Sequence, residues 1–279
     1  MNLVGVAIGF IQPSVMVEAS NNTNVVEYDL KSFYISQLVA AVVFFFVTLF
    51  YKERPPTPPT SLQQPLETNL SFVESLKCLG ANKYFIFLSQ SYAIYFALFV
   101  AIFVLVNPLI TSTFKTADVS QIGWMGFWTN IVAVVSFLVI GRLLDRYKKY
   151  QLTAVLLNVS SMVLWLVFVL VLRYTNSFTA LYVIYLALGV VFVPFFATGI
   201  ETAAEMTYPV SEETSSTVML VFGNLYAFAM IYGFGMLASE GFIATTGFAM
   251  VGLYFLSSLF AGLAETDLKR STVQNGDIS

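Results

Sequence analysis

The sequence predicts an all-α protein that crosses a membrane several times, and three observations support this fold class. Hydrophobic residues make up 58% of the 279-residue chain, and charged residues make up only 10%. The mean hydropathy is +0.79, whereas about 25% of the residues in an average soluble domain are charged. The apolar residues are also gathered in runs of roughly 20, the length at which a helix crosses a bilayer. A water-soluble fold is therefore excluded.

Eight apolar runs are interpreted as membrane-spanning helices, because a helix satisfies all of its backbone groups internally when it lies in lipid. These runs cover residues 1–17, 33–51, 84–107, 121–141, 152–172, 179–200, 215–237 and 243–264. A proline-rich polar stretch and a short amphipathic segment at 69–83 separate the second run from the third. The predicted organisation is two helices at 1–51, a cytoplasmic linker at 52–83, six helices at 84–265 and a polar cytoplasmic tail at 266–279.

The distribution of basic residues predicts which side of the membrane each loop faces. Of the 13 Lys and Arg residues, all but Lys31, Lys115 and Arg173 fall on one side of the predicted spans. The positive-inside rule assigns that side, together with both chain ends, to the cytoplasm. The outer loop 18–32 then carries a glycosylation sequon at Asn21.

Composition excludes several kinds of chemistry. The chain has no histidine and a single cysteine, Cys78, which rules out imidazole-ligated zinc, Ser-His or Cys-His catalysis and an intramolecular disulfide. The net charge of -3 is small and scattered, so no nucleic-acid partner is expected. The spans carry no ionisable residue at their centres, and we expect no enzymatic activity, no metal and no cofactor.

The most informative motif is the segment Gly141-Arg-Leu-Leu-Asp-Arg146, which lies between two apolar runs. A loop that only obeyed the positive-inside rule would explain its arginines, but not Asp145 among them. The segment resembles the G-x-L-x-D-R signature of major facilitator transporters. Their fold consists of two six-helix halves, so the predicted fold class is a truncated major facilitator fold with about eight transmembrane helices.

Three further segments narrow this resemblance. Residues 5–13, the closing stretch 264–270 and above all residues 201–216, with the pattern E-x-x-x-E-x-T-Y-P-x-x-E-x-x-S-S, are similar to the feline leukaemia virus subgroup C receptor family. The resemblance implies helices five to twelve of a twelve-helix transporter. It also implies transport of choline, ethanolamine or haem, and a chain that is incomplete.

The charged residues of the motif at 141–146 and of the segment 201–216 are expected to form a cytoplasmic gate. In facilitators, this copy of the motif meets the start of helix five, so Asp145 is predicted to contact residues 1–5. Glu201 and Glu205 are four residues apart and share one helix face, and Arg142 or Arg146 is their natural partner. The open alternative is a static ion pair at the membrane surface. Gly141, the first residue of the motif, is expected to permit close packing at the loop and to have no chemical role.

Aromatic residues are the candidates for solute binding. The residues expected to line a central cavity are Tyr92, Tyr95 and Phe99 on the seventh helix and Asn224 and Tyr226 on the eleventh. By resemblance, Asn224 stands where the choline-transporting members have a glutamine, whereas Val100 and Leu3 replace a tyrosine and a glutamine of theirs. The pair Trp124 and Trp128 fits either an interfacial belt or a cation-binding wall.

Two functions stay open at this point. The first is transport of a small organic cation or haem by alternating access, and the second is a non-transporting isoform or receptor-like protein that acts through a full-length transporter. In both cases the protein is a multi-pass membrane protein, and the plasma membrane is the expected location.

Overall fold

A computed structural model describes residues 2–17, 22–50, 70–114, 119–147, 149–175 and 177–265. Only the backbone is described for residues 2–4, Val119 and Asp145. The helices within these ranges are α1 (Asn2–Met16), α2 (Thr23–Leu49), α3 (Phe72–Ala81), α4 (Lys83–Thr113), α5 (Val119–Tyr147), α6 (Tyr150–Tyr174), α7 (Phe178–Thr207), α8 (Glu212–Ser239) and α9 (Ile243–Leu263). The described residues form no strand, so the predicted all-α class is confirmed.

Seven of these helices, α2 and α4 to α9, are long and apolar enough to cross a membrane. The first predicted span appears as the shorter apolar helix α1, which has 15 residues. The short surface helix predicted within 69–83 is present as α3. The predicted tail at 266–279 and most of the proline-rich linker lie outside the described residues.

One predicted boundary is wrong. Helix α2 begins at Thr23, ten residues before the predicted start at 33, so most of the expected outer loop is helical. The side chain of Asn22 caps the helix by accepting a hydrogen bond from the backbone N–H of Asn24 at 3.1 Å. Lys31 and Glu27 pair at 2.7 Å one turn apart. A capped first turn with an i,i+4 ion pair lets a helix carry charges, so hydropathy alone placed the boundary too late.

Two other helices run past prolines. Helix α4 contains Pro108 and α7 contains Pro194, and both continue for at least another turn. The carbonyl of Val190, which loses its helical donor because Pro194 has no N–H, accepts a hydrogen bond from Ser136 Oγ of α5. Such side-chain bonds are one of the ways in which membrane helices tolerate proline.

The core lies within the bundle formed by α4 to α9. Helix α4 packs against α8 and α9, and α7 packs against α5 and α6. The largest buried side chains include Trp165, Tyr185, Phe192 and Phe195. Helix α1 packs on the outside of α5 and makes few contacts with α2, which buries none of its own residues. The bundle is therefore the packed unit on which any site is built.

Candidate functional site

A continuous cluster of aromatic rings runs along α4 and α7. The rings of Tyr95 and Phe195 stack with centroids 3.9 Å apart, and Phe99 meets Phe196 edge to face at 4.9 Å. Phe99 also meets Phe103 at 4.4 Å. Pairs in these geometries stabilise one another beyond the area that they bury. The cluster therefore holds the orientation of its rings without help from charged groups.

The cluster reaches helix α1. The ring of Phe10 lies 5.2 Å from that of Phe103, and it covers Gly126 of α5 so closely that a methyl group there would fall 2.3 Å from a ring carbon. Phe96, Phe99, Phe103 and Phe196 are half-buried, unlike the deeper rings of the cluster. We define these four residues as the open aromatic face. It is the part of the cluster that keeps accessible surface.

Two of the predicted cavity residues lie in the core instead. Tyr95 is completely buried, and its hydroxyl group lies 2.6 Å from Ser161 Oγ and donates to the carbonyl of Val191 at 3.2 Å. It therefore presents no surface to a cavity in this conformation. Tyr92 is 2% exposed and packs its ring against Gly199. Sequence cannot tell which way a residue points on a helix that is apolar all round.

The other three predicted cavity residues keep accessible surface. Phe99 belongs to the open aromatic face. Tyr226 of α8 is half-buried and donates from its hydroxyl group to Gln90 Oε1 of α4 at 2.6 Å. Asn224 is exposed, and its Nδ2 donates to the carbonyl of Leu220 at 2.8 Å. We call Gln90, Asn224 and Tyr226 the polar edge, which adjoins the aromatic face because Phe96 packs against Gly223 of α8.

Sequence reasoning missed four members of this surface: Phe96, Phe103, Phe196 and Gln90. A signal for two of them was available, because aromatic residues at 92, 96, 99 and 103 recur every three to four positions along one face of α4. Nothing comparable marks Phe196, whose contribution depends on how α7 packs against α4.

The predicted gate residues lie at the ends of α5 and α7. Glu201 is exposed and Glu205 is half-buried on the last two turns of α7, and both take part in further interactions. Arg142 and Arg146 are exposed on α5, and the guanidinium of Arg146 lies 5.7 Å from the ring of Tyr147. Pairing of these arginines with the two glutamates stays a prediction.

Close packing at Gly141 is not observed among the described residues. A methyl group at this position would meet no described atom within 4 Å. The glycines that do permit close packing lie elsewhere, for example Gly123 and Gly126 beneath α1 and Gly189 on α7.

The predicted contact between Asp145 and residues 1–5 falls largely outside the described side chains. The register of α1 along α5 is nevertheless visible, because Ser14 lies beside Gly123 and Phe10 beside Gly126. At 1.5 Å per residue, Asn2 is then expected near the middle of α5, roughly 16 Å short of Asp145. The contact itself stays a prediction.

Trp124 and Trp128 are exposed near the start of α5, as expected of interfacial residues, although neither of the two interpretations is tested. Two further sequons, at Asn69 and Asn158, are interpreted as chance matches because one falls in the predicted cytoplasmic linker and the other within a span. Asn21 and Asn69 lie outside the described residues, whereas Asn158 is buried in α6 and donates to Ser257 Oγ at 2.7 Å. In the described ranges no three His, Cys, Asp or Glu side chains group as metal ligands would.

The profile of the Major Facilitator Superfamily matches residues 1–234. The chain belongs to this superfamily. Among solved structures, this facilitator resembles a bacterial homologue of the human lysosomal transporter Spinster, with a TM-score of 0.65 and 14% identity. The match covers 98% of this chain and 69% of that one. The predicted facilitator fold is confirmed.

Curated relatives support the narrower resemblance to the feline leukaemia virus subgroup C receptor family. This facilitator is 31% identical to the choline/ethanolamine transporter flvcr2a of Danio rerio, over 96% of this chain and 58% of the relative. It is 30% identical to the choline/ethanolamine transporter FLVCR1 of Felis catus, over 99% of this chain and 51% of the relative. The chain thus spans little more than half the length of these relatives.

Proposed function

We propose that this protein takes part in moving a small organic cation of the choline or ethanolamine class across a membrane by alternating access. The observation that carries the proposal is the open aromatic face on α4 and α7, bordered by the polar edge of Gln90, Asn224 and Tyr226. The relatives named as choline/ethanolamine transporters support the same substrate class.

The aromatic rings of this surface suit a quaternary ammonium group, whose positive charge is surrounded by methyl groups. A quaternary ammonium is attracted to an aromatic face by about 0.5 to 2 kcal/mol per contact. Several such rings compensate for lost hydration without an acidic side chain, which is costly to place in a bilayer. Asn224 and Gln90 supply amide groups for the hydroxyl at the other end of such a solute.

Haem is the less suitable solute for the described surface. Its two propionates call for basic side chains, yet the described residues of the aromatic face and polar edge are all neutral. The basic residues of α4 to α6 that the structure describes lie near helix ends instead. A flat porphyrin would find stacking partners here but no counter-charge.

Alternating access needs a contact that forms in one state and breaks in the other. We assign this role to Arg142, Asp145 and Arg146 at the end of α5 and to Glu201 and Glu205 at the end of α7. In the proposed orientation these groups lie at the cytoplasmic surface of the plasma membrane, together with both chain ends.

The test is uptake of radiolabelled choline and ethanolamine by cells that express this chain, or a version extended upstream to the length of its relatives. We expect Phe99→Leu to reduce uptake at least severalfold and Phe99→Tyr to retain it, because a tyrosine ring keeps the aromatic face. Phe248→Leu, at an exposed phenylalanine of α9 outside the cluster, is the matched control.

Unchanged uptake in Phe99→Leu, with surface expression equal to that of the parent, would remove this face from the substrate path. If neither version carries either solute while both reach the surface, the assigned substrate class is wrong.

A second candidate is association with a full-length transporter, without transport by this chain itself. Helix α2 favours it, since none of its 27 residues is buried and Phe44, Phe45 and Phe46 are exposed. The test uses a short chain and an extended chain that carry different tags. The two chains are either mixed after separate purification or co-expressed, and co-purification is then measured in both samples. Recovery after co-expression alone supports assembly in the membrane, and recovery in neither sample contradicts it.

A further inference from the structure

A groove of about 380 Å³ lies on the surface between the end of α5 and the beginning of α6. Its walls include Leu143 and Leu144 from α5 and Leu152 and Leu156 from α6, and Lys149 lies where the two helices are joined. It is separate from the open aromatic face, which is formed by α4 and α7.

Three leucines in the walls of the groove are exposed. Leu143, Leu152 and Leu156 are each roughly half exposed, at 49%, 52% and 57%. The groove starts at the helix ends and follows two helices that are long and apolar enough to cross a membrane. An extended hydrocarbon chain would cover these leucines, while a small polar solute would leave them exposed.

The end of the groove is positively charged. Lys149 is exposed, occupies the N-cap position of α6 and makes no capping bond with its side chain. The first turn of α6 contains no acidic residue, so its helix dipole adds a partial positive charge at the same place. Arg146 is exposed one turn earlier. Within residues 141–149, four basic residues stand against a single acid, Asp145.

From these two properties we propose that the groove binds an anionic phospholipid from the leaflet on this side of the membrane. An acyl chain lies along Leu143, Leu152 and Leu156, and the phosphate lies against Lys149 and the start of α6. A zwitterionic phospholipid offers the same chain, but its cationic headgroup is repelled by this cluster. A soluble phosphate lacks the acyl chain, so it keeps only the electrostatic contact with Lys149 and the start of α6.

The test is native mass spectrometry of the full chain, purified in detergent and titrated with phosphatidylglycerol and with phosphatidylcholine of identical acyl chains. The expected result is tighter binding of phosphatidylglycerol, and a loss of about fivefold in this preference in Lys149→Gln, since one basic residue near a phosphate contributes about that factor. Leu156→Trp fills the groove and should weaken binding of both lipids. Glycerol phosphate should not compete.

Arg173→Gln is the matched control, because Arg173 is exposed at the opposite end of the same helix. It should leave the lipid preference unchanged. Equal binding of both lipids to the parent chain would overturn the proposal, and so would a preference that Arg173→Gln lowers as much as Lys149→Gln does. Competition by glycerol phosphate would show a simple anion site instead of a lipid groove. Each variant is compared only if it elutes as a single folded species.

Discussion

Gly189 of α7 lies directly against the backbone of Thr129 in α5. A methyl group at Gly189 would fall 2.5 Å from the carbonyl oxygen of Thr129 and 2.9 Å from its side-chain methyl carbon. Thr129 itself is buried and donates from Oγ1 to the carbonyl of Met125 at 2.7 Å. Because a backbone atom cannot move aside as a side chain can, the contact fixes the distance between the two helices.

Gly189→Ala is therefore expected to force α5 and α7 apart and to destabilise the bundle by roughly 1–3 kcal/mol, the usual cost of overpacking. Thermal unfolding of the purified protein, followed by size-exclusion chromatography after heating, measures the change. The matched control is Gly252→Ala in α9, where an added methyl group meets no described atom within 4 Å. Alanine favours a helix over glycine, so the control should be neutral or slightly stabilising. Equal losses of stability in both variants would contradict the close contact.

Three buried tyrosines allow a second comparison. The hydroxyl group of Tyr95 is bonded to Ser161 and Val191, whereas those of Tyr185 and Tyr254 have no hydrogen-bond partner among the described residues. Tyr95→Phe should lower the free energy of unfolding by roughly 0.5–1.5 kcal/mol, the net value of a hydrogen bond. Tyr185→Phe and Tyr254→Phe should be neutral or stabilising, because each removes a buried polar group without a partner. A loss of stability in Tyr185→Phe as large as that in Tyr95→Phe would show that Tyr185 is bonded after all.

The start of α3 predicts a pH dependence. The backbone N–H of Ser71 donates to the Glu74 carboxylate at 2.9 Å, and its hydroxyl group donates at 2.8 Å. These bonds lower the pKa of Glu74, the backbone bond most strongly. Since the pKa is lower in the folded state, the stabilisation is present above the ordinary value of 4.5 and is lost as the pH falls through the folded value.

We expect hydrogen-exchange protection of the α3 amides to fall between pH 6 and pH 3.5, and to fall less in Glu74→Gln, whose side chain does not titrate in this range. Ser71→Ala should speed exchange in α3 by about fivefold at neutral pH, because it removes the N-cap. Ser239→Ala, at an exposed serine at the end of α8, controls for the substitution itself. A pH response in Glu74→Gln equal to that of the parent would assign the effect to another group.

Glycosylation tests the proposed orientation. Of the three sequons, Asn21 is placed outside, Asn69 is placed in the cytoplasm, and Asn158 is buried in the bundle. In mammalian cells, the mobility shift on glycosidase treatment should disappear in Asn21→Gln and persist in Asn69→Gln. Loss of the shift in Asn69→Gln alone would show the inverse orientation, with both chain ends outside.

Several elements follow from local sequence. The apolar runs locate the six helices of the bundle, because a segment of about 20 apolar residues has few alternatives in lipid. The short helix α3 follows from Ser71 and Glu74, which form a capping box before an amphipathic stretch. The pattern at 201–216 resembles that of the narrower family, and the curated relatives support this resemblance.

Local sequence was a poorer guide where two neighbouring elements decide the outcome. The early start of α2 depends on a side-chain cap and an ion pair that average hydropathy does not register. Gly141 resembles a packing glycine, yet the described structure has open space beside it, while Gly189, in an ordinary apolar run, carries the tight contact.

The sequence by itself determined that this protein is a helical membrane protein of the major facilitator superfamily, because hydrophobic length and short motifs are local properties. The tertiary structure alone decided which side of each helix faces the core. A helix that is apolar all round carries no record of its orientation, so Tyr95 became a core residue while Phe96, one position later, joined the open aromatic face. The packing of α4 against α7, α8 and α9 decides which of its side chains are buried. It therefore also decides which residues are available to meet the proposed solute.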